Sequence, residues 1–257
     1  MRKLLLFFCF LISLSSLQLP MSAQTPFYCD PTTGLCKIEP MEPSAPKIEI
    51  QEGIELIYVG DPMCSWCWGI SPQLNQLKQK AEQAGIPYRL VLGGLRPGGG
   101  DPWNGQFKDF LRHHWKEVGE LSGQPFGFSL FDQAYFNYDT EPACRAVVAA
   151  RQLNPVVESR FFELAQHYFY VQNQDPKEAC FYEPICLALG LDYEAFAVLF
   201  ESQETKAATQ AEFQLNRQWG VSGYPTILVR KEKQLYIIAQ GYATFENMWE
   251  RLEDIIE

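Results

Sequence analysis

Two cysteines, Cys64 and Cys67, stand on either side of Ser65 and Trp66. Thiols at that spacing can close a reversible disulfide, and a thiolate is the species that attacks another disulfide. The same spacing also makes half of a zinc site, so the surroundings must choose between the two chemistries. Here the pair follows a short apolar strand pattern and opens a long helical one. At a helix N-terminus, free backbone N–H groups and the positive end of the macrodipole favour a thiolate over a thiol. The expected chemistry is thiol–disulfide exchange.

The elements that must position this pair can be read on both sides of it. Residues 54–59 (Ile-Glu-Leu-Ile-Tyr-Val) predict a strand that Gly60-Asp61-Pro62 ends. Leu74, Leu77 and Ala81 recur at three- and four-residue spacing and predict a helix that stops at Gly85. Residues 88–92 read as a second strand. A strand–helix–strand unit implies parallel strands and a right-handed crossover. The glycine-rich stretch 93–100 lacks both the G-x-G-x-x-G order and the Lys-Ser/Thr of a P-loop, and is read as a loop leaving the sheet. From Trp103 to about residue 220 the signals are mostly helical, an insertion packed beside the sheet. Pro225 then stands immediately before a strand over 226–230, which pairs with 235–239 around Lys231-Glu232-Lys233, and a helix over 245–256 closes the chain.

Three stretches together, Asp61-Pro62-Met63-Cys64-Ser65-Trp66-Cys67-Trp68-Gly69, Gly93-Gly94-Leu95-Arg96 and Ser222-Gly223-Tyr224-Pro225-Thr226, resemble the DsbA family of exported disulfide oxidoreductases. Within it the chain is most similar to the branch with a C-x-W-C-W-G active site and an isomerase-like assignment. The resemblance implies an α/β fold: a thioredoxin-like domain of residues 47–100 and 220–257. A helical domain, 101–219, would be inserted between its strand–helix–strand half and its cis-Pro, hairpin and helix half. It implies that Cys64 is an exposed nucleophile, Cys67 a buried resolving thiol, and Ser65-Trp66 the dipeptide that tunes them. Tyr224-Pro225 would carry a cis bond beside the sulfurs, where an extended client strand could pair. The implied partners are unfolded or partly oxidised client proteins and a redox partner that resets the dithiol, with no tightly bound cofactor.

One position departs from the family pattern. Six residues before Cys64, where many relatives carry a buried acid that takes the resolving thiol's proton, this chain has Tyr58. A phenol with a pKa of about 10 is a poor acceptor near neutrality, which leaves Asp61 or a bound water as the substitute. Met63, Trp66 and Trp68 flank the site as a group that could form an apolar rim for clients. Trp68, one turn into the helix, is assigned to the core, and Trp66 to the rim.

The N-terminus reads as a secretory leader. Arg2 and Lys3 precede an apolar run over 4–14, followed by Ser15, Ser16, Pro20, Ser22 and Ala23. Residues 1–23 are assigned as the signal peptide and 24–46, rich in proline, as an extended arm. The apolar run is too short for a stable membrane span. Cys9, inside it, is poorly placed for lipidation. A periplasmic or secreted protein is expected. Loss of Arg2 and Lys3 takes the net charge from −10 to −12, which argues against nucleic acid or anionic membrane as a partner.

Seven cysteines remain outside the leader, so at least one thiol has no partner within the chain. Cys29 and Cys36 bracket the turn-rich Asp30-Pro31-Thr32-Thr33-Gly34. They would form either a staple of about 2.5 kcal/mol or a second redox pair relaying electrons to Cys64 and Cys67. Cys180 and Cys186 would be about 9 Å apart on one helix, beyond the ~7 Å limit for a bridge. They bond only if Pro184 breaks that helix. Cys144, with Ala143, Val147 and Val148, is expected to be a buried inert thiol. His113 and His114 are adjacent and diverge on a helix, so no histidine metal site is expected.

Two rival readings remain open at this point. One is a zinc or copper carrier in which Cys64 and Cys67 meet Cys29 and Cys36. The other is a glutathione-dependent isomerase on the same fold, whose relatives do not need the second thiol.

Overall fold

The computed structural model describes residues 53–257 and, ahead of them, the backbone of two short strands. These strands, β1 (Phe27–Cys29) and β2 (Cys36–Ile38), pair antiparallel with Cys29 opposite Cys36. The thiols of Cys29 and Cys36, the expected leader and the rest of the arm lie outside the described residues.

The rest of the fold is built on β3 (Ile54–Gly60), the strand that leads into the cysteine pair. It pairs in parallel with β4 (Tyr88–Leu92), from Leu56 opposite Tyr88 to Gly60 opposite Leu92. On its other side it pairs antiparallel with β5 (Thr226–Lys231), which forms a hairpin with β6 (Gln234–Gln240). The sheet order is β4-β3-β5-β6. A strand inside such a sheet is covered on both faces, which explains why β3 reads as an almost unbroken apolar run rather than an alternating one. Leu56 and Tyr58 enter one core, while Ile57 and Val59 enter another with Val91, Val221 and Leu228.

Helix α1 (Ser65–Gln83) links β3 to β4 and buries Cys67, Ile70, Leu74, Leu77 and Ala81 against the first core. Six helices then intervene before β5: α2 (Gly105–Ser122), α3 (Glu141–Leu153), α4 (Glu158–Tyr170), α5 (Glu183–Leu189), α6 (Tyr193–Glu201) and α7 (Gln203–Gln218). The terminal α8 (Phe245–Ile256) lays Met248 and Leu252 on the sheet. Every residue of α3 from Pro142 to Ala150 is buried, as expected of a stretch apolar on nearly every side, and its one charge, Arg145, donates to the Phe200 carbonyl at 2.6 Å and pairs with Glu141. A second aromatic core joins Trp68 to Trp115, Phe136, Tyr138, Phe169 and Tyr170. Among the described residues no helix is long and apolar enough to cross a membrane.

Pro72 sits inside α1. Proline has no N–H, so the carbonyl four residues back, that of Trp68, loses its helical donor. Two side chains replace it: Ser71 Oγ donates to the Trp68 carbonyl at 2.8 Å and Gln124 Nε2 at 3.0 Å. The indole Nε1 of Trp68 in turn donates to the Pro125 carbonyl at 3.0 Å. The loop after α2 is thereby tied to the first turns of the helix that starts at the cysteine pair. Gln124→Ala is expected to lower stability by about 1–2 kcal/mol in a urea titration. An unchanged midpoint would mean that Ser71 alone satisfies the carbonyl.

The bridge that a helix break at Pro184 would have permitted between Cys180 and Cys186 is absent, and both thiols are free. The helix does break, with a single 3-10 turn over Ala179–Tyr182 ahead of α5 and Pro184 in the first turn of α5. A proline there gives up only an N–H that has no helical partner in any case. The break leaves Cys180 exposed and turns Cys186 inward, where burial pushes its thiol up to about 12.

Candidate active site

Cys64 is the N-cap residue of α1, with extended backbone (φ −92°, ψ 117°) and no side chain capping the first-turn amides. The turn ahead of it is held from three directions. Asp61 Oδ1 accepts from the Met63 amide at 2.8 Å and Oδ2 from the Leu95 amide at 2.7 Å, while the Tyr138 hydroxyl donates to the Met63 carbonyl at 2.9 Å. Asp61 is fully buried, and burial raises its carboxyl above the ordinary range although the amide donors pull it down.

Facing this turn is the loop before β5. The Tyr224–Pro225 peptide bond is cis. The Cys64 thiol donates to the Tyr224 carbonyl at 3.4 Å. The same tyrosine's hydroxyl donates to the Gly93 carbonyl at 2.6 Å, which also receives Asn216 Nδ2 at 3.1 Å. The glycine-rich stretch is therefore part of the site's frame. A Cβ at Gly93 would sit 2.5 Å from the Tyr224 ring, and Gly94 has φ +70° against the Phe213 ring. Reading 93–100 as a plain exit loop missed this role; the signal available was a Gly-Gly pair directly after a strand. Nothing local marked Asn216, which is buried 124 residues from the carbonyl of Leu92 that it also binds.

Cys64 and Cys67 are both free thiols. The expected exposed nucleophile is not exposed: Cys64 is 4% accessible, because the Tyr224 loop closes over its sulfur. Cys67 is fully buried, and burial first, then the neighbouring Cys64, pushes its thiol up. Tyr58 lies against Cys67 from β3, but its hydroxyl makes no hydrogen bond of ordinary geometry to the sulfur. Trp66, assigned to the rim, is half-buried beside the half-buried Ser65, and Trp68 is core as assigned, stacked on Tyr170 at 6.4 Å. Met63, also expected at the rim, is buried in the second core because the insertion covers it.

Cys144 is buried as expected but is not a bystander on an apolar face. Its thiol donates to Asp61 Oδ2 at 3.5 Å, bringing α3 to the back of the active-site turn. Asp61 is thus occupied by Met63, Leu95 and Cys144, and no hydrogen bond among the described residues joins its carboxylate to Cys67. Among the described residues no three His, Cys, Asp or Glu side chains converge as a metal site.

The sequence pattern of the DSBA-like thioredoxin domain matches residues 55–253. The chain belongs to that family. A provisionally assigned protein disulfide isomerase from Nitrosomonas europaea is 34% identical and superimposes with a TM-score of 0.72, covering 79% of this chain and 97% of that one. The cytosolic disulfide reductase DsbM from Pseudomonas aeruginosa is 25% identical with a TM-score of 0.66 over 79% of this chain and 98% of its own, and its structure is also known with glutathione. The ClpXP adapter protein SpxH of Shouchella clausii is 24% identical over 89% of this chain and 75% of its own length. The DsbA-like fold, a thioredoxin-like α/β sheet interrupted by helices, is the frame into which Cys64, Cys67 and the Tyr224 loop are set. Members of this family are in general disulfide oxidoreductases.

Proposed function

We propose that this DsbA-like protein exchanges disulfides with client proteins through Cys64 and Cys67, oxidising or rearranging them outside the cytosol. The observation that carries the reading is the asymmetry of the two sulfurs. Cys64 sits at the uncapped start of α1 with its thiol on the Tyr224 carbonyl, and Cys67 lies fully enclosed behind it. In the oxidised protein a client thiolate attacks Cys64 Sγ, the Cys64–Cys67 bond breaks, and Cys67 takes the electron pair and a proton. A second client thiolate then attacks the client sulfur of the mixed disulfide, and Cys64 leaves as thiolate. Rearrangement uses the reduced protein, with Cys64 attacking a client disulfide and Cys67 available to release a stalled mixed disulfide.

Once Cys64 is in a disulfide, its sulfur has no proton to donate. The Tyr224 carbonyl then becomes a free acceptor beside the reacting sulfurs, suited to a backbone N–H of an extended client segment. Ser65 and Trp66 form the half-buried surface next to it. Export rests on the leader pattern of residues 1–23, and a redox partner would reset the dithiol. A second reading, reduction of disulfides at the expense of glutathione, is favoured by the likeness to DsbM, whose structure is known with that thiol.

Cys67→Ala is expected to accumulate mixed disulfides between Cys64 and clients, visible as mass shifts on non-reducing gels and lost on adding reductant. Absence of such adducts would overturn the assignment of Cys64 as nucleophile. The reduction potential of the couple separates the two directions. A value near −120 to −180 mV, about that of known oxidants and isomerases, supports oxidation or rearrangement, and one near −270 mV, about that of thioredoxin, supports reduction.

A further inference from the structure

Cys67 lines a cavity of about 20 Å³ enclosed by α1, β3, β4 and α4. One water requires roughly 10–15 Å³ by this measure and two to four polar partners. The walls supply such partners. Tyr58 Oη and both Gln166 Oε1 and Nε2 are buried with no hydrogen-bond partner among the described groups, and Gln166 is 0% and Tyr58 1% accessible. Native proteins rarely leave buried side-chain polar atoms unsatisfied, and three around one hole beside a thiol call for a common explanation. On the outer side of the cavity, Lys78 and Glu163 are half-buried and connect it to solvent.

We propose that a single internal water, held between Tyr58 Oη and the Gln166 amide, carries the Cys67 proton to and from solvent in place of a buried acid. This rests on the reading of Cys64 and Cys67 as the exchanging pair. When Cys67 resolves a mixed disulfide, its S–H proton passes to the water as its sulfur bonds to Cys64 Sγ. The bond between Cys64 and the client sulfur breaks, and its electron pair leaves on that sulfur. The dithiol is oxidised, the client is reduced, and no further redox agent is required. The proton leaves past Lys78 and Glu163, and the client thiolate takes another from bulk water. Gln166 and Tyr58 act through the water as positioning residues. The titratable groups facing Cys67 and the cavity are Cys64 at the N-cap of α1, Lys78 of α1, Tyr58 of β3, Tyr88 of β4 and Glu163 of α4. The need for such a path is clear from the burial of Cys67, which holds its thiol protonated well above the ordinary range.

The test is stopped-flow mixing of the reduced full chain with an aromatic disulfide whose released thiolate is coloured. The first release reports attack by Cys64 and the second reports resolution by Cys67. In Gln166→Leu and in Tyr58→Phe the first phase is expected to keep its rate. The second is expected to slow about a hundredfold near neutral pH, the low end for loss of proton-transfer assistance. That deficit should close as pH rises and hydroxide takes over the proton. Gln166→Glu, which puts an acid at the cavity, is expected to resolve at least as fast as wild type. A second phase within about twofold of wild type in both variants, or one slowed equally at every pH, would overturn the relay. If Gln166→Leu does not fold, Tyr58→Phe, which removes one oxygen from the same cavity, decides alone. A wild type with no first phase would instead overturn the parent reading of Cys64.

Discussion

The Cys64→Ala variant is expected to lose disulfide exchange by about three orders of magnitude or more, the usual consequence of deleting a covalent nucleophile. The remaining thiol cannot substitute for it. Cys67 is fully enclosed by β3, α1 and the Tyr58 ring, and burial holds its proton on, so it presents neither an accessible nor an ionised sulfur. The fold should survive, because a small side chain replaces a small one and the Cys64 carbonyl still accepts from the Trp68 amide. Insulin reduction and refolding of a reduced client measure the loss, and circular dichroism verifies the fold. Residual activity near that of wild type would mean that another sulfur carries the reaction. Cys144 and Cys186 are buried and so not placed to take over, which would leave Cys180, an exposed free thiol, as the sulfur to delete next among the described residues.

Asp61→Ala is expected to cost about 2–4 kcal/mol, because it strips the buried amide of Met63 and the part-buried amide of Leu95 of their acceptor at once. The Met63 bond closes the active-site turn, the Leu95 bond joins that turn to the loop after β4, and the Cys144 thiol loses its partner as well. Client exchange should slow along with the loss of stability, since the turn that aims Cys64 is no longer pinned. Burial makes Asp61 hold its proton more tightly in the fold than in the unfolded chain. Wild type therefore loses stability as pH rises through the carboxylate range, while the variant has no such group to ionise. The gap between them should be wider at about pH 3 than at about pH 7. Urea titrations at both values measure it. A gap below about 0.5 kcal/mol would show that water satisfies the two amides.

Much of the frame was legible along the chain. The strand over 88–92, the hairpin around Lys231-Glu232-Lys233 and the closing helix over 245–256 fall where apolar spacing and turn residues predicted them. Signals of this kind act over a few residues, as does the start of α7. There Ser202 caps the helix by accepting from the Thr205 amide, and the helix begins at Gln203. The inner side of the site was not legible. Cys144 looked like an apolar filler because its neighbours on the helix are apolar. Its partner Asp61 lies 83 residues away, and only the packing of α3 behind the turn brings them together.

By itself, the sequence determined that two thiols would stand at the start of a helix following a strand, since spacing and periodicity are local properties of the backbone. Only the tertiary structure decided how closed the site is. The Tyr224 carbonyl that covers Cys64 comes from 160 residues further along the chain. Gln166, which faces the cavity beside Cys67, comes from α4 in the insertion. Such contacts depend on how sheet and helices pack, and packing is settled by the burial of surfaces that no short stretch of residues encodes.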